Sequence, residues 1–83
     1  MTTTFTPNAW DDYVSWSGDR TILNRITRLI TEASRDPGAG LGKPERLSGN
    51  LTGYWSRRID HEHRLVYTVQ DNALVIVQAR YHY

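Results

Sequence analysis

The chain has no cysteine. That absence removes disulfides, thiolate zinc ligation and a thiol nucleophile together, and it fits a reducing compartment. Long apolar runs are also missing. The longest is Ala73–Val77, far short of the roughly 18–20 residues a helix needs to cross a bilayer, so no membrane association is expected. The stretch after Met1, Thr-Thr-Thr-Phe-Thr-Pro, has neither a basic start nor an apolar centre, so no secretory signal is expected and the expected location is cytoplasmic. With 83 residues the chain is too short for a dinucleotide-binding fold, which excludes most cofactor enzymes. A strong charge of one sign is lacking as well: the net charge is +1.

What is present suits one small globular domain spanning residues 1–83, with 39% hydrophobic and 23% charged residues, too apolar for a disordered tail. A chain of this size buries about 60–65% of its unfolded surface, enough for one core. The charge is unevenly shared. Residues 1–41 carry four Arg against five acidic residues, whereas residues 42–83 carry six basic against four acidic ones and all three histidines, His61, His63 and His82. Positive charge and titratable groups therefore share the second half, a modest footprint for a polyanion.

Thr2–Thr6 is β-prone around Phe5, and Pro7 is tolerated at a helix start. Ala9, Trp10, Tyr13, Val14 and Trp16 then recur at steps of three and four, which predicts a helix over roughly 7–17 closed near Gly18. Asp19 is placed to cap a second helix whose apolar stripe is Ile22, Leu23, Ile26, Leu29, Ile30 and Ala33. So short a connection makes the two helices a hairpin. Asp36–Pro44, rich in glycine and proline, is a long loop of the kind that is often functional, and Glu45–Asn50 continues it toward a sheet. Strands are expected at Tyr54–Ile59, Arg64–Val69 and Ala73–Tyr81, with turns at His61-Glu62 and Gln70–Asn72. The expected class is α+β, in the order β-α-α-β-β-β, an antiparallel sheet with the two-helix hairpin on one face.

Alternation along the strands separates two faces, and register decides how they combine. A two-residue turn at Asp71-Asn72 would set Arg64 opposite Ala79 and bury it. An odd connection or a bulge instead groups Leu65, Tyr67 and Val69 with Val75 and Val77, and puts Arg64 beside Gln78, Arg80 and His82. An unpaired buried Arg is costly, so the second register is expected, with Arg58 joining the same polar surface. On pattern alone that surface also reads as an ordinary solvated sheet face, since exposed antiparallel faces are normally polar.

No Ser stands in a nucleophile elbow, and Gly38, Gly40 and Gly42 lack the spacing of a phosphate loop. His61, Glu62 and His63, with His82, are metal-ligating types, but His-x-His in a turn reads more simply as a solvated loop, and neither a metal nor a cofactor is expected. A carboxylate (Glu45), an imidazole (His82) and several guanidinium groups remain. That set suits metal-free RNA cleavage, in which a 2′-hydroxyl attacks the adjacent phosphorus while one group accepts its proton and another protonates the leaving oxygen. Arginine would neutralise charge building on the phosphoryl oxygens. Spacing does not establish this, because Glu45, Arg64 and His82 are far apart in sequence.

The segments Gly42-Lys43-Pro44-Glu45-Arg46-Leu47, Asn50–Ile59 with its Trp55-Ser56-Arg57-Arg58, Glu62–Tyr67, and Ala79-Arg80-Tyr81-His82-Tyr83 resemble the YoeB toxins of the RelE superfamily, as does Trp10-Asp11-Asp12-Tyr13. The resemblance runs nearly end to end. It implies a fold like that of microbial ribonucleases and the activity of a type II toxin–antitoxin toxin, an mRNA endoribonuclease acting in the ribosomal A site and so inhibiting translation. Carried over by position, Glu45 resembles the general base, His82 the general acid and Arg64 the phosphate and transition-state stabiliser. Arg58 and Tyr83 sit at supporting substrate contacts, and Arg80 and Lys43 are further candidates for substrate binding. The implied partners are a YefM-like antitoxin with a disordered segment that folds on the toxin, the 70S ribosome with its mRNA, a second copy in a homodimer, and operator DNA only through the antitoxin. The chain departs from the family pattern at Ser48, where a basic residue is expected. Two other readings remain beside the nuclease: a catalytically silent antitoxin-binding co-repressor, and a metal-dependent hydrolase through His61 and His63.

Overall fold

The Thr6 hydroxyl starts the first helix by accepting the Ala9 amide at 3.2 Å, and Pro7 occupies a position whose amide would have had no helical partner. In this computed structural model, which describes residues 1–82, the helix is α1 (Pro7–Ser15). The Asp19 carboxylate caps α2 (Arg20–Arg35) through the Ile22 amide at 3.0 Å. Both fall where the apolar spacing places them. The strands are β1 (Thr2–Phe5), β2 (Glu45–Arg46), β3 (Trp55–Arg58), β4 (Arg64–Gln70) and β5 (Ala73–Gln78), and a 3-10 turn covers Gly49–Leu51.

The sheet order is β1-β5-β4-β3-β2, so the α+β class holds, with the sheet mixed rather than wholly antiparallel. β1 runs parallel to β5, pairing Thr2 with Ala73 and Phe5 with Ile76. A parallel neighbour needs a crossover, and everything between β1 and β5, including both helices, provides it. The second departure is β2. Two residues directly after Pro44 carry no alternating pattern to betray a strand, yet they pair with β3 and close the far edge of the sheet.

The β4–β5 hairpin combines two features that the sequence sets against each other. Its two-residue turn has Asp71 and Asn72 both at positive φ, 50° and 60°, the geometry that matches strand twist in a tight hairpin. It pairs Val69 with Leu74 and Tyr67 with Ile76. A bulge between Val66 and Tyr67 then brings Val66 opposite Gln78. Leu74 and Ile76, rather than Val75 and Val77, therefore join Leu65 and Tyr67 in the core. Beyond the bulge the facing is reversed, and Gln78 turns to the polar side with Arg64 and Val66.

Ile26, Leu29 and Ala33 of α2 and Ala9 of α1 pack with Leu65, Tyr67, Leu74 and Ile76 in one cluster. Each large side chain contributes about 1.5–3 kcal/mol of burial. Beyond Gln78 the expected strand stops, because α1 takes over the backbone there. Trp16 Nε1 donates to the Ala79 carbonyl at 2.8 Å, and the Asp12 carboxylate accepts the Ala79 amide at 3.0 Å.

Candidate functional site

Strand pairing assembles residues that are remote in sequence. Glu45 pairs with Ser56, Ser56 with Val66, and Val66 with Gln78, so four strands place one residue each on a single row of the same face. Three strand-to-strand steps make that row about 14 Å long between backbones. The neighbouring row holds Arg58 directly opposite Arg64. Like charges in a cross-strand pair destabilise a sheet, so this pairing concentrates positive charge where folding alone gains nothing from it.

Arg64 is nearly buried, and its Nη1 donates to the carbonyls of Asp60 at 2.9 Å and His63 at 3.1 Å. Carbonyl acceptors fix the guanidinium without cancelling its charge, which leaves that charge to attract an anion. The Arg64 backbone amide donates to the Tyr81 carbonyl at 2.9 Å, and Gln78 Nε2 donates to the same oxygen at 3.1 Å. The Tyr81 amide in turn donates to His63 Nδ1 at 2.8 Å. The residue immediately before His82 is thus held beside Arg64 at both its amide and its carbonyl, and His82 itself is exposed.

The glycine-rich loop is organised from below by a residue that sequence reasoning passed over. Arg57 is fully buried. Its Nε donates to the Tyr67 hydroxyl at 2.9 Å, its Nη1 to Leu41 carbonyl at 2.8 Å, and its Nη2 to the carbonyls of Asp36 at 2.7 Å and Ala39 at 2.6 Å. Burial raises the Tyr67 phenol above its ordinary range, against the pull of Arg57. The loop approaches so closely that a Cβ on Gly42 would meet Leu29 Cδ2 at 2.7 Å, and Gly42 itself stands at φ +90°. The Gly42 carbonyl accepts the Arg58 amide at 2.7 Å, leading exposed Lys43 and then Glu45 along β3. The available signal was parity: Arg57 alternates with Ser56 and Arg58, so it faces the core, and the nearby loop offers many unpaired carbonyls.

Asp60 shapes the turn before β4 by accepting the amides of Glu62 at 2.8 Å and His63 at 2.6 Å. Burial works to raise its carboxyl, but those amides, with His63 and His61 nearby, bring it below its ordinary value.

The structure thus brings Glu45, Arg58, Arg64 and the chain at His82 to one region. Arg80 goes elsewhere, which corrects its expected place beside Arg64. Its guanidinium lies 4.1 Å from the Trp16 ring centroid and donates to Ser15 Oγ at 2.8 Å. The cause is the early end of β5, after which strand alternation no longer applies. Tyr83 lies outside the described residues. Among those residues no group of three metal-ligating side chains gathers, and no helix is long and apolar enough to cross a membrane.

A family model described as the YoeB-like toxin of bacterial type II toxin-antitoxin system matches residues 5–83. Toxin YoeB of Streptomyces coelicolor is 61% identical over all of both chains. The structure of a YoeB/ParE toxin from Agrobacterium tumefaciens superposes with a TM-score of 0.96 at 48% identity, covering both chains fully. A Staphylococcus aureus YoeB, solved as a heterotetrameric YoeB–YefM complex, gives a TM-score of 0.90 at 47% identity over 100% of this chain and 98% of its own. A YoeB from Staphylococcus aureus has also been solved as a dimer, with a TM-score of 0.91 at 47% identity.

Proposed function

Because this chain belongs to the YoeB-like toxins of bacterial type II toxin–antitoxin systems, we propose that it is a metal-independent endoribonuclease that cleaves mRNA in the A site of the 70S ribosome. The observation that supports this reading most is the cross-sheet arrangement: Glu45 at one end of a row, the Arg58–Arg64 pair beside it, and Tyr81 fastened to the Arg64 amide so that His82 follows next to that pair.

In this reading Glu45 accepts the proton of a 2′-hydroxyl, whose oxygen attacks the adjacent phosphorus. The bond from phosphorus to the 5′-oxygen breaks as His82 protonates that oxygen. A 2′,3′-cyclic phosphate and a 5′-hydroxyl result, and DNA is inert because it lacks the nucleophile. Arg64, fixed by carbonyls, stabilises the charge that grows on the phosphoryl oxygens, and Arg58 lies opposite it. Lys43 and Tyr83 are proposed substrate contacts. Arg80 acts in this reading by holding the C-terminal segment against α1, not by touching RNA. Glu45 stands on edge strand β2 and His82 follows β5, so the acid–base pair must close over the nucleotide from different parts of the sheet, which suits an mRNA presented in a fixed path. A net charge of only +1 makes ribosomal presentation more important than attraction for naked RNA.

The proposed setting is the cytoplasm, with a YefM-like antitoxin as inhibitor, a homodimer as the toxin's own state, and operator DNA reached only through the antitoxin. The YoeB–YefM complex and YoeB dimer of S. aureus support the first two partners. The test is mapping of cleavage on translating mRNA. Glu45→Ala and His82→Gln should each abolish cleavage while melting like the wild type. Unchanged cleavage in both variants would refute these two assignments, and growth arrest without any cleavage of translating mRNA would leave the toxin with another mode of action.

A further inference from the structure

We infer that His63 is a positioning residue for the C-terminal segment: the unprotonated Nδ1 of its ring holds the Tyr81 amide and thereby sets the seat of His82. The catalytic consequence rests on the nuclease reading above, whereas the latch itself stands on geometry.

A backbone N–H can only donate, so the 2.8 Å bond from the Tyr81 amide assigns Nδ1 as an acceptor and puts the ring proton on Nε2. Nε2 lies 3.8 Å from a Glu62 carboxylate oxygen. The ring is wedged edge-on against Trp16, centroids 4.9 Å apart, and packs near the Tyr81 ring at 6.0 Å. The side chain is only 11% exposed. Tyr81 itself has a φ of 65°, a left-handed backbone that an aromatic residue keeps only where its surroundings hold it. Its carbonyl is held by the Arg64 amide and Gln78, while its amide depends on His63.

Of these three holds, only the one from His63 comes from a side-chain acceptor: the Arg64 amide is backbone, and Gln78 is a donor. Removing Nδ1 leaves a backbone donor without its partner beside the residue that carries the proposed acid, and the segment loses its tie to the turn before β4.

The test compares H63L and H63N in the full-length toxin. The asparagine Oδ1 reaches the place of Nδ1 and accepts a hydrogen bond. Two measurements are made: steady-state cleavage of mRNA on programmed ribosomes, and amide exchange of Tyr81 by NMR. H63L should lose about tenfold or more in kcat with little change in KM, because misplacing a reacting group costs turnover rather than binding. H63N should restore kcat. Tyr81 should exchange fast in H63L and stay protected in H63N and in the wild type. Wild-type kcat or a protected Tyr81 amide in H63L would overturn the inference, as would an H63N protein that melts normally but cleaves no better than H63L. If H63L fails to fold, H63N decides: fast exchange of the Tyr81 amide in a folded H63N refutes the latch. Absence of mRNA cleavage by the wild type would refute the nuclease reading instead, and Tyr81 exchange would still judge the latch.

Discussion

Arg57 Nε donates to the Tyr67 hydroxyl at 2.9 Å, and that hydroxyl donates onward to the Pro37 carbonyl at 2.6 Å. Through this pair a loop with no regular structure is fastened to the middle of the sheet. The guanidinium is satisfied by carbonyls instead of a carboxylate, so the loop folds around a cation carried by its neighbouring strand. The loop then runs through Gly42 and Lys43 into Glu45, which makes the anchor relevant to the proposed site.

Removing that cation leaves several buried carbonyls without donors. Arg57→Met is expected to cost about 3 kcal/mol or more, since bonds to charged groups are worth roughly 1.5–3 kcal/mol each and unmet acceptors add to the loss. Urea denaturation measures it. Gly40→Ala should also destabilise, by about 1–3 kcal/mol, because Gly40 stands at φ +100° and a Cβ there would run into the Glu32 carboxylate. A loss below about 0.5 kcal/mol in both variants would contradict the anchor.

The raised Tyr67 phenol carries an alkaline signature. Its folded pKa lies above the ordinary 10.0, so its contribution to stability is complete below that value and is lost as pH rises through the folded one. Tyr67→Phe should cost about 1–2 kcal/mol at neutral pH through the lost hydrogen bonds. It should also flatten the alkaline decline in melting temperature that the wild type shows above pH 10.0.

Asp60 has the opposite sign. Its folded pKa lies below the ordinary 3.8, so its stabilising effect is present above that value and disappears as pH falls through the folded one. Asp60→Ala is expected to lower stability by up to about 1 kcal/mol at neutral pH, discounted for its partial exposure. Melting curves at pH 7 and near pH 2 should show the gap closing in acid.

Arg58 opposite Arg64 sets stability against function. Arg58→Gln should leave stability unchanged or raise it by a few tenths of a kcal/mol, because a like-charge pair is relieved. Cleavage should fall in the same variant if the pair clamps a phosphate. Sulfate should raise the melting temperature of the wild type more than that of the variant at equal ionic strength, which thermal shift assays can compare.

Several features are legible from local pattern. The Thr6 and Asp19 caps and the three-and-four spacing mark both helices, because a cap and an amphipathic stripe are decided within a few residues. Asp71-Asn72 marks the hairpin for the same reason. Glu45, Arg58, Arg64 and His82 are visible as chemical types, and resemblance gives them roles. A shared polar face for Arg58, Arg64 and His82 is expected from alternation and a bulge, but Glu45 joining them through a strand is not visible, since it depends on β2, which carries no pattern of its own. The burial of Arg57 is legible only as parity, and it is tolerable because a loop more than fifteen residues upstream and the Tyr67 hydroxyl supply its acceptors.

The amino-acid sequence by itself determined the helices, the hairpin turn, the lack of thiol chemistry and the list of groups able to move a proton or hold a phosphate. Tertiary structure decided that Glu45 joins the arginines on an edge strand and that Arg80 leaves them. The extra residue Val77 at the bulge opposite Val66 and Tyr67 turns Gln78 to the polar face, and contacts from Asp12 and Trp16 to Ala79 end β5 and carry Arg80 away. The reason is that side-chain facing has a period of two, so a single unpaired residue, chosen by contacts far away in the chain, inverts everything beyond it.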